Sequence, residues 1–331
     1  MAQSPPPSAA CKARRHFLAA LPACGLLALH GCVPAPPLTV AAHTWPGYEF
    51  MFLARDQGWL EAGRVSLLRT NSATESIREL QQGHVDGAAL TLDEVLRVRA
   101  SGMALTIVLV FDISAGADVV LARSSIQALP ALRARHIGVE SGAVGALMLR
   151  KLLVAAQLQD ADITTVPLPV DEHLAAWRTG RLDAIVTYEP TATLIEQAGA
   201  HRIFDSRMFA PLVIDALAVR SELLEARRDD LRTLAHAHFR ALRHFTRHRL
   251  DAAHRLAARM KLTADGVLDT YRGLELPDAT QNRELLGGAA PRLAPTLAEV
   301  SQLMREMGAL PQADALAGIV SDAALPPGDF Q

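Results

Sequence analysis

The sequence predicts an α/β protein of two similar blocks, each a central, mostly parallel sheet flanked by helices. Short strand-like runs alternate with helix-length runs, the pattern of βαβ units. The alternation runs from residue 38 to about residue 122 and then starts again. The chain has 331 residues, half of them hydrophobic, which is enough to bury two such cores.

In the first block, residues 38–44 (LTVAAHT) are strand-like. Residues 49–57 read as a helix closed by Gly58, since glycine readily takes the left-handed turn that ends helices. Residues 65–69 (VSLLR) form a second strand, and residues 73–82 a helix closed by Gly83. Residues 86–90 (DGAAL) are a short strand and residues 92–100 a helix. Residues 105–111 (LTIVLVF) form an unbroken apolar or β-favouring run, the mark of a fully buried strand. The second block has strands at 137–140, 163–167 and 184–187 and helices at 142–156, 171–179 and 190–198. A strand-like run at 213–219 then leads into a long helical stretch, 228–260, and a helix at 296–307. Residues 325–331 read as a frayed tail.

The first 31 residues read as a signal peptide. Lys12, Arg14 and Arg15 form a positive region, and residues 17–29 an apolar stretch too short to span a bilayer. Leu29-His30-Gly31-Cys32 resembles a bacterial lipobox, with His30 departing from the usual small residue. Arg14-Arg15-His16-Phe17-Leu18 resembles the twin-arginine export pattern. Cleavage before Cys32 would leave a lipidated cysteine followed by a Pro-rich spacer through residue 37.

All three cysteines lie in the first tenth of the chain, so no disulfide framework or Cys-based metal site is expected. The mature chain carries 30 bases against 35 acids, a balance of −5, which offers no basic footprint for nucleic acid. No phosphate-binding loop, dinucleotide fingerprint or His-Glu-x-x-His motif is present, and no cofactor is expected. His236, His244 and His248 share a helical stripe, but neighbouring Arg243, Arg247 and Arg249 favour a solvated basic face over a metal site.

Several stretches carry a more specific likeness: His43-Thr44-Trp45-Pro46-Gly47-Tyr48, Asp56-Gln57-Gly58-Trp59-Leu60, and Gln82-Gly83-His84-Val85-Asp86-Gly87-Ala88. Ile137-Gly138-Val139-Glu140-Ser141-Gly142, the Gly180…Asp183-Ala184 pattern and Tyr188-Glu189-Pro190 follow in order. Over about residues 38 to 260 the chain resembles two-lobed periplasmic substrate-binding proteins of the type II fold. Within them it resembles the nitrate/sulfonate/taurine and thiamin-precursor class of ABC-importer binding proteins. The resemblance implies a monomeric lipoprotein in the periplasm or at the cell surface, working with an ABC permease and its ATPase. It implies a first lobe of residues 38–122 and 213–331 and a second of residues 123–212.

In open α/β sheets ligands sit beyond the carboxyl ends of the strands. The residues falling there are Trp45, Tyr48, Thr91 and Asp112 in the first block, and Ser141, Gly142, Tyr188 and Glu189 in the second, with Asp215 at the return strand. Ser141 is a candidate helix cap whose neighbouring N–H groups could meet a ligand oxygen. The mature chain has only two lysines, Lys151 and Lys261, and neither falls at a strand end. Aromatics among acids suit a cationic or nitrogen-rich solute. The alternatives are a nitrate-, sulfonate- or taurine-like anion, a sensor lipoprotein, and an enzyme of the same fold. Pyrimidine synthases and some menaquinone-pathway enzymes resemble this class; the synthases need a cofactor lysine and a cysteine-rich motif, whereas here Lys151 lies mid-helix, Lys261 is far away and no such motif exists.

Overall fold

A computed structural model describes residues 35–209, 211–312 and 314–326. The segment read as a signal peptide and Cys32 lie outside the described residues. Residues 36–331 group into one compact unit, within which two sheets are built.

The first sheet uses β1 (Leu38–Ala42), β2 (Val65–Arg69), β3 (Gly87–Thr91), β4 (Leu105–Ser114), β10 (Ile214–Arg220) and β11 (Leu274–Glu275), ordered β11-β4-β10-β3-β1-β2. Helices α1 (Glu49–Asp56), α2 (Ala73–Gln81) and α3 (Leu92–Ala100) connect its early strands. The second sheet uses β5 (Asp118–Ala122), β6 (His136–Val139), β7 (Thr164–Pro167), β8 (Ala184–Tyr188) and β9 (His201–Asp205), ordered β7-β6-β8-β5-β9. Its helices are α4 (Val144–Ala156), α5 (Val170–Arg178) and α6 (Thr191–Gln197). This is the α/β, two-sheet architecture expected.

Each sheet is mostly parallel, as expected, with one long strand reversed: β1 pairs in parallel with β2 and β3, whereas β10 runs against both β3 and β4. In the second sheet β5 runs against β8 and β9. Both reversed strands arrive from the other sheet. They enter at the edge where their neighbours end, so they must run away from it. The strand at Asp118–Ala122, assigned from sequence to the end of the first lobe, therefore belongs to the second sheet.

The chain crosses between the sheets at residues 115–117 and again after β9. The crossings are tied together by Ser206, whose Oγ lies 2.8 Å from Ser114 Oγ and accepts the Gly116 N–H at 2.7 Å. Gly116 has φ +117°, and a Cβ at Gly273 would meet the Gly116–Ala117 backbone at 2.7–2.8 Å. Both glycines therefore let the crossing pack tightly.

The stretch 228–260 is two helices, α7 (Arg228–Arg247) and α8 (Arg249–Met260), broken at His248, whose backbone leaves the helical region. Helices α9 (Ala264–Thr270), α10 (Ala279–Leu286) and α11 (Ala294–Glu306) follow. This C-terminal segment closes the free edge of β4. Strand β11 pairs with its end, and the buried Asn282 amide both accepts from Val110 N–H at 2.7 Å and donates to Val110 C=O at 3.0 Å. Val320 bridges Ile107 further along. Covered edges cannot recruit a foreign strand. No helix among the described residues is long and apolar enough to cross a membrane.

Candidate functional site

Register alone brings three site residues together. Asp215, at the start of β10, lies opposite Thr91 on one side and Asp112 on the other. In the second sheet Asp118, the first residue of β5, lies opposite Tyr188, the last of β8. The two sheet edges face each other across a cavity of about 10 Å³, lined among others by His43, Trp45, Tyr48, Glu94, Asp118 and Tyr188. That is about the space one water occupies.

The loop after β1 supplies the aromatic wall. Pro46 starts a single 3₁₀ turn over Pro46–Tyr48, with Trp45 before it and Glu49 opening α1. Trp45 Nε1 donates to Asp112 Oδ2 at 2.9 Å, and the Tyr48 hydroxyl donates to Asp215 Oδ1. A Cβ at Gly47 would stand 1.7 Å from Asp112 Oδ2, so only glycine admits that carboxyl group. Gly47→Ala should therefore displace Asp112, break its bond to Trp45 and cost on the order of 1–3 kcal/mol. Urea unfolding followed by tryptophan fluorescence reads both effects.

Rings from both lobes meet over the cavity. Tyr188 lies 5.7 Å from Trp45, edge to face, and 5.6 Å from His43, while His43 lies 5.3 Å from Tyr48. Polar contacts also cross. Thr74, in α2, donates its N–H at 3.0 Å and its hydroxyl at 2.5 Å to Glu140 Oε1. The Val144 N–H, at the start of α4, donates to Glu94 Oε1 at 3.3 Å. These bonds hold the two sheet edges together. Thr74→Val should shift the lobes toward an open arrangement by removing about 1 kcal/mol of hydrogen bonding, seen as a larger radius of gyration in solution scattering.

The site is acidic. Glu94, Asp112, Asp118, Glu140 and Asp215 are all buried, and no Arg or Lys lines the cavity. Burial penalises the charged carboxylate and pushes each of these groups upward. Asp118 rises to about 7 through burial and the nearby charges of Asp93 and Glu189. Glu94 rises to about 8 through burial and the charges of Asp93 and Glu140. Asp112 and Asp215 are each driven well above the carboxylate range by burial, while the hydrogen bonds from Trp45 and Tyr48 pull the other way. His43 is lowered to about 3 by burial and stays neutral. Among the described residues, Asp112 Oδ1, Asp118 Oδ2, Asp215 Oδ2 and His43 Nδ1 are buried without a hydrogen-bond partner.

Of the nine ligand-binding candidates, Trp45, Tyr48, Thr91, Asp112, Tyr188 and Asp215 converge at this cavity or one bond behind it. Three do not. Ser141 and Gly142 are exposed, because α4 begins later, at Val144, with Ala143 as its uncapped first neighbour. The free N–H expected there already donates to Glu94. Glu189 is buried but faces a separate pocket beside the crossing, where it accepts from Thr193 N–H at 3.1 Å and Thr193 Oγ1 at 2.8 Å and so caps α6. Glu94 and His43 were not among the candidates. Glu94 was legible as a helix-start acid three residues after Thr91, whose N–H it accepts at 2.9 Å. In the His stripe, His244 has an acidic neighbour after all: its Nε2 lies 2.8 Å from Asp251 Oδ2.

A family model for the NMT1-like family matches residues 33–263, more than two thirds of the chain. The chain belongs to the NMT1-like family. No curated protein matches it in sequence. Among solved structures, this NMT1-like chain is similar to the alkanesulfonate-binding protein SsuA of Xanthomonas axonopodis pv. citri bound to MOPS. Identity is 16%, TM-score 0.71, with 87% of this chain and 98% of that one covered. It is also similar to the ligand-binding component of an ABC-type import system from Staphylococcus aureus with zinc bound, at 15% identity and TM-score 0.72, covering 89% and 100%. The periplasmic nitrate-binding protein NrtA from Synechocystis PCC 6803 matches at 14% identity and TM-score 0.62, covering 87% and 92%. At such identities the likeness establishes the periplasmic binding-protein fold, the class that the motifs resembled.

Proposed function

We propose that this NMT1-like protein is an extracytoplasmic solute-binding protein that delivers a small, positively charged, nitrogen-containing organic solute to an ABC importer, tethered by lipid on Cys32. The family, the fold and the lipobox support the transport role. Trp45, Tyr48, Thr91, Asp112, Tyr188 and Asp215 form the binding site, extended by His43, Glu94 and Asp118.

One observation carries the choice of solute: buried carboxyl groups converge with aromatic rings on one cavity that no Arg or Lys lines. Aromatic faces attract cations, and the unpartnered carboxyl oxygens accept hydrogen bonds from N–H groups. An anion in the same place would meet each ionised carboxylate with a repulsion on the order of 4 kcal/mol at 4 Å and an effective dielectric of about 20. The start of α4, the natural anion site, is already occupied by Glu94. With room for about one water, the cavity must open to admit such a solute, and binding then favours whichever arrangement of the sheet edges encloses it better. A sensor lipoprotein would use the same site, and finding a permease gene beside this one would favour transport.

The test is a thermal-shift and calorimetric panel: benzamidine, phenethylamine and thiamine beside nitrate, taurine and alkanesulfonates. Stabilisation by the cations alone supports the reading. Tight binding of nitrate or a sulfonate, with no response to any cation, overturns it.

A further inference from the structure

We propose that the cleft takes up its cationic solute in exchange for protons held by Glu94, Asp118 and the Asp112–Asp215 pair, so that either protons or solute balance the closed site. This rests on the cation reading above and adds how affinity is set.

The geometry requires some balance. Asp112 and Asp215 are opposite one another on neighbouring strands, and each carries a buried carboxyl oxygen with no hydrogen-bond partner. Asp118 sits on the facing sheet edge, and both it and Asp215 turn an unpartnered buried oxygen to the cavity. Like charges confined in this way cannot all ionise together.

None of the packed elements places a cation on the cavity itself. The loop after β1 presents His43, held neutral, and Tyr48, whose burial pushes its hydroxyl well up. Helix α3 presents Asp93 beside Glu94, and its one nearby cation, Arg97, acts on Asp93. The second lobe presents Glu140, itself raised by burial and by Asp171, together with Tyr188. Glu189 lies behind Asp118 and adds a negative charge, one met by Arg202 of β9 at 3.5 Å. Below the site, Tyr271 is raised partly by Asp112, and the Arg259 guanidinium is bound to Glu49. Protons must therefore supply the balance in the closed cleft until a cation does.

The sign follows. These acids have folded values above their unfolded ones, so their contribution to stability is complete below the ordinary carboxylate range. It is lost as pH rises through about 7 for Asp118 and about 8 for Glu94. Cation binding runs the other way. A cation competes with protons, so affinity rises with pH over the same window, by about tenfold per pH unit for each proton released.

The experiment is calorimetry of benzamidine, with phenethylamine and thiamine as further probes, at about pH 7 in phosphate, imidazole and Tris, whose ionisation heats differ. The expected result is a binding heat that changes with the buffer by about one to two protons released per cation, and at least tenfold tighter binding at about pH 8 than at about pH 5.5. Glu94→Gln and Asp118→Asn mimic the protonated acids, so each should fold and release fewer protons. Glu299→Gln, exposed on α11, should not change the count. Equal heats in all three buffers from a cation that does bind would overturn the exchange while leaving the proposed solute class intact. No binding by any of the three cations removes the cation reading, and the exchange with it.

Discussion

Trp45→Ala combined with Asp215→Asn should weaken binding of an organic cation by about a hundredfold or more. Trp45 gives the cleft a π face that meets Tyr188 from the other lobe, and Asp215 gives it an unpartnered buried acceptor at the same place. A cation–π contact and a hydrogen bond to a charged group each contribute on the order of 1–3 kcal/mol. At about 1.4 kcal/mol per decade, losing both exceeds a hundredfold at the middle of that range. Tyr48 links the two losses: its hydroxyl donates to Asp215, and an asparagine there keeps an acceptor for it. Calorimetry of benzamidine on the double variant checks the size, and circular dichroism checks that the fold survives. An unchanged dissociation constant would move the solute out of this cleft.

The largest stability effect should come from Arg259→Ala. Arg259, in α8, donates to the fully buried Glu49 in α1 and lies over the Phe52 ring at 4.0 Å. It thus clamps the helix that carries the aromatic loop. Removing it leaves a carboxylate in the core without its countercharge, which costs about 3–5 kcal/mol. Burial already raises Glu49, and Arg259 is what pulls it down. The variant should therefore lose less stability at acidic pH, where Glu49 takes up a proton, than at neutral pH. Urea denaturation at both pH values reads this, and an equal loss at both would contradict it.

Much of the fold is legible in the sequence because the periodicities are strong. The run at 105–111 is buried from end to end as β4, and the helix-ending glycines Gly58 and Gly83 both take positive φ. What escapes is what depends on pairing across distance. Nothing local shows that Asp118–Ala122 pairs with β8 instead of extending the first sheet. Nor does glycine or proline mark the break at His248. The sequence also hid the edge cover provided by Asn282, since one amide in a helix carries no pattern of its own.

The same division runs through the site. Strand ends point to Trp45, Asp112 and Asp215, and the fold brings them within bonding reach. Glu189 lies just past the end of β8, where its carboxyl turns to the Thr193 N–H and hydroxyl at the start of α6 instead of the cleft. Ser141 and Gly142 were misplaced because the start of α4 is set by packing against Glu94 and Thr74 of the other lobe. Glu94 and Asp118 take their character from burial, which no single position reveals.

The central claim, that the cleft selects a nitrogen-containing cation, is tested most directly by native mass spectrometry of the protein purified from cells without refolding. The account predicts a bound small molecule that is released as a nitrogen-bearing positive ion and is missing from the Trp45→Ala, Asp215→Asn variant. A retained nitrate or sulfonate, unaffected by those substitutions, would contradict it.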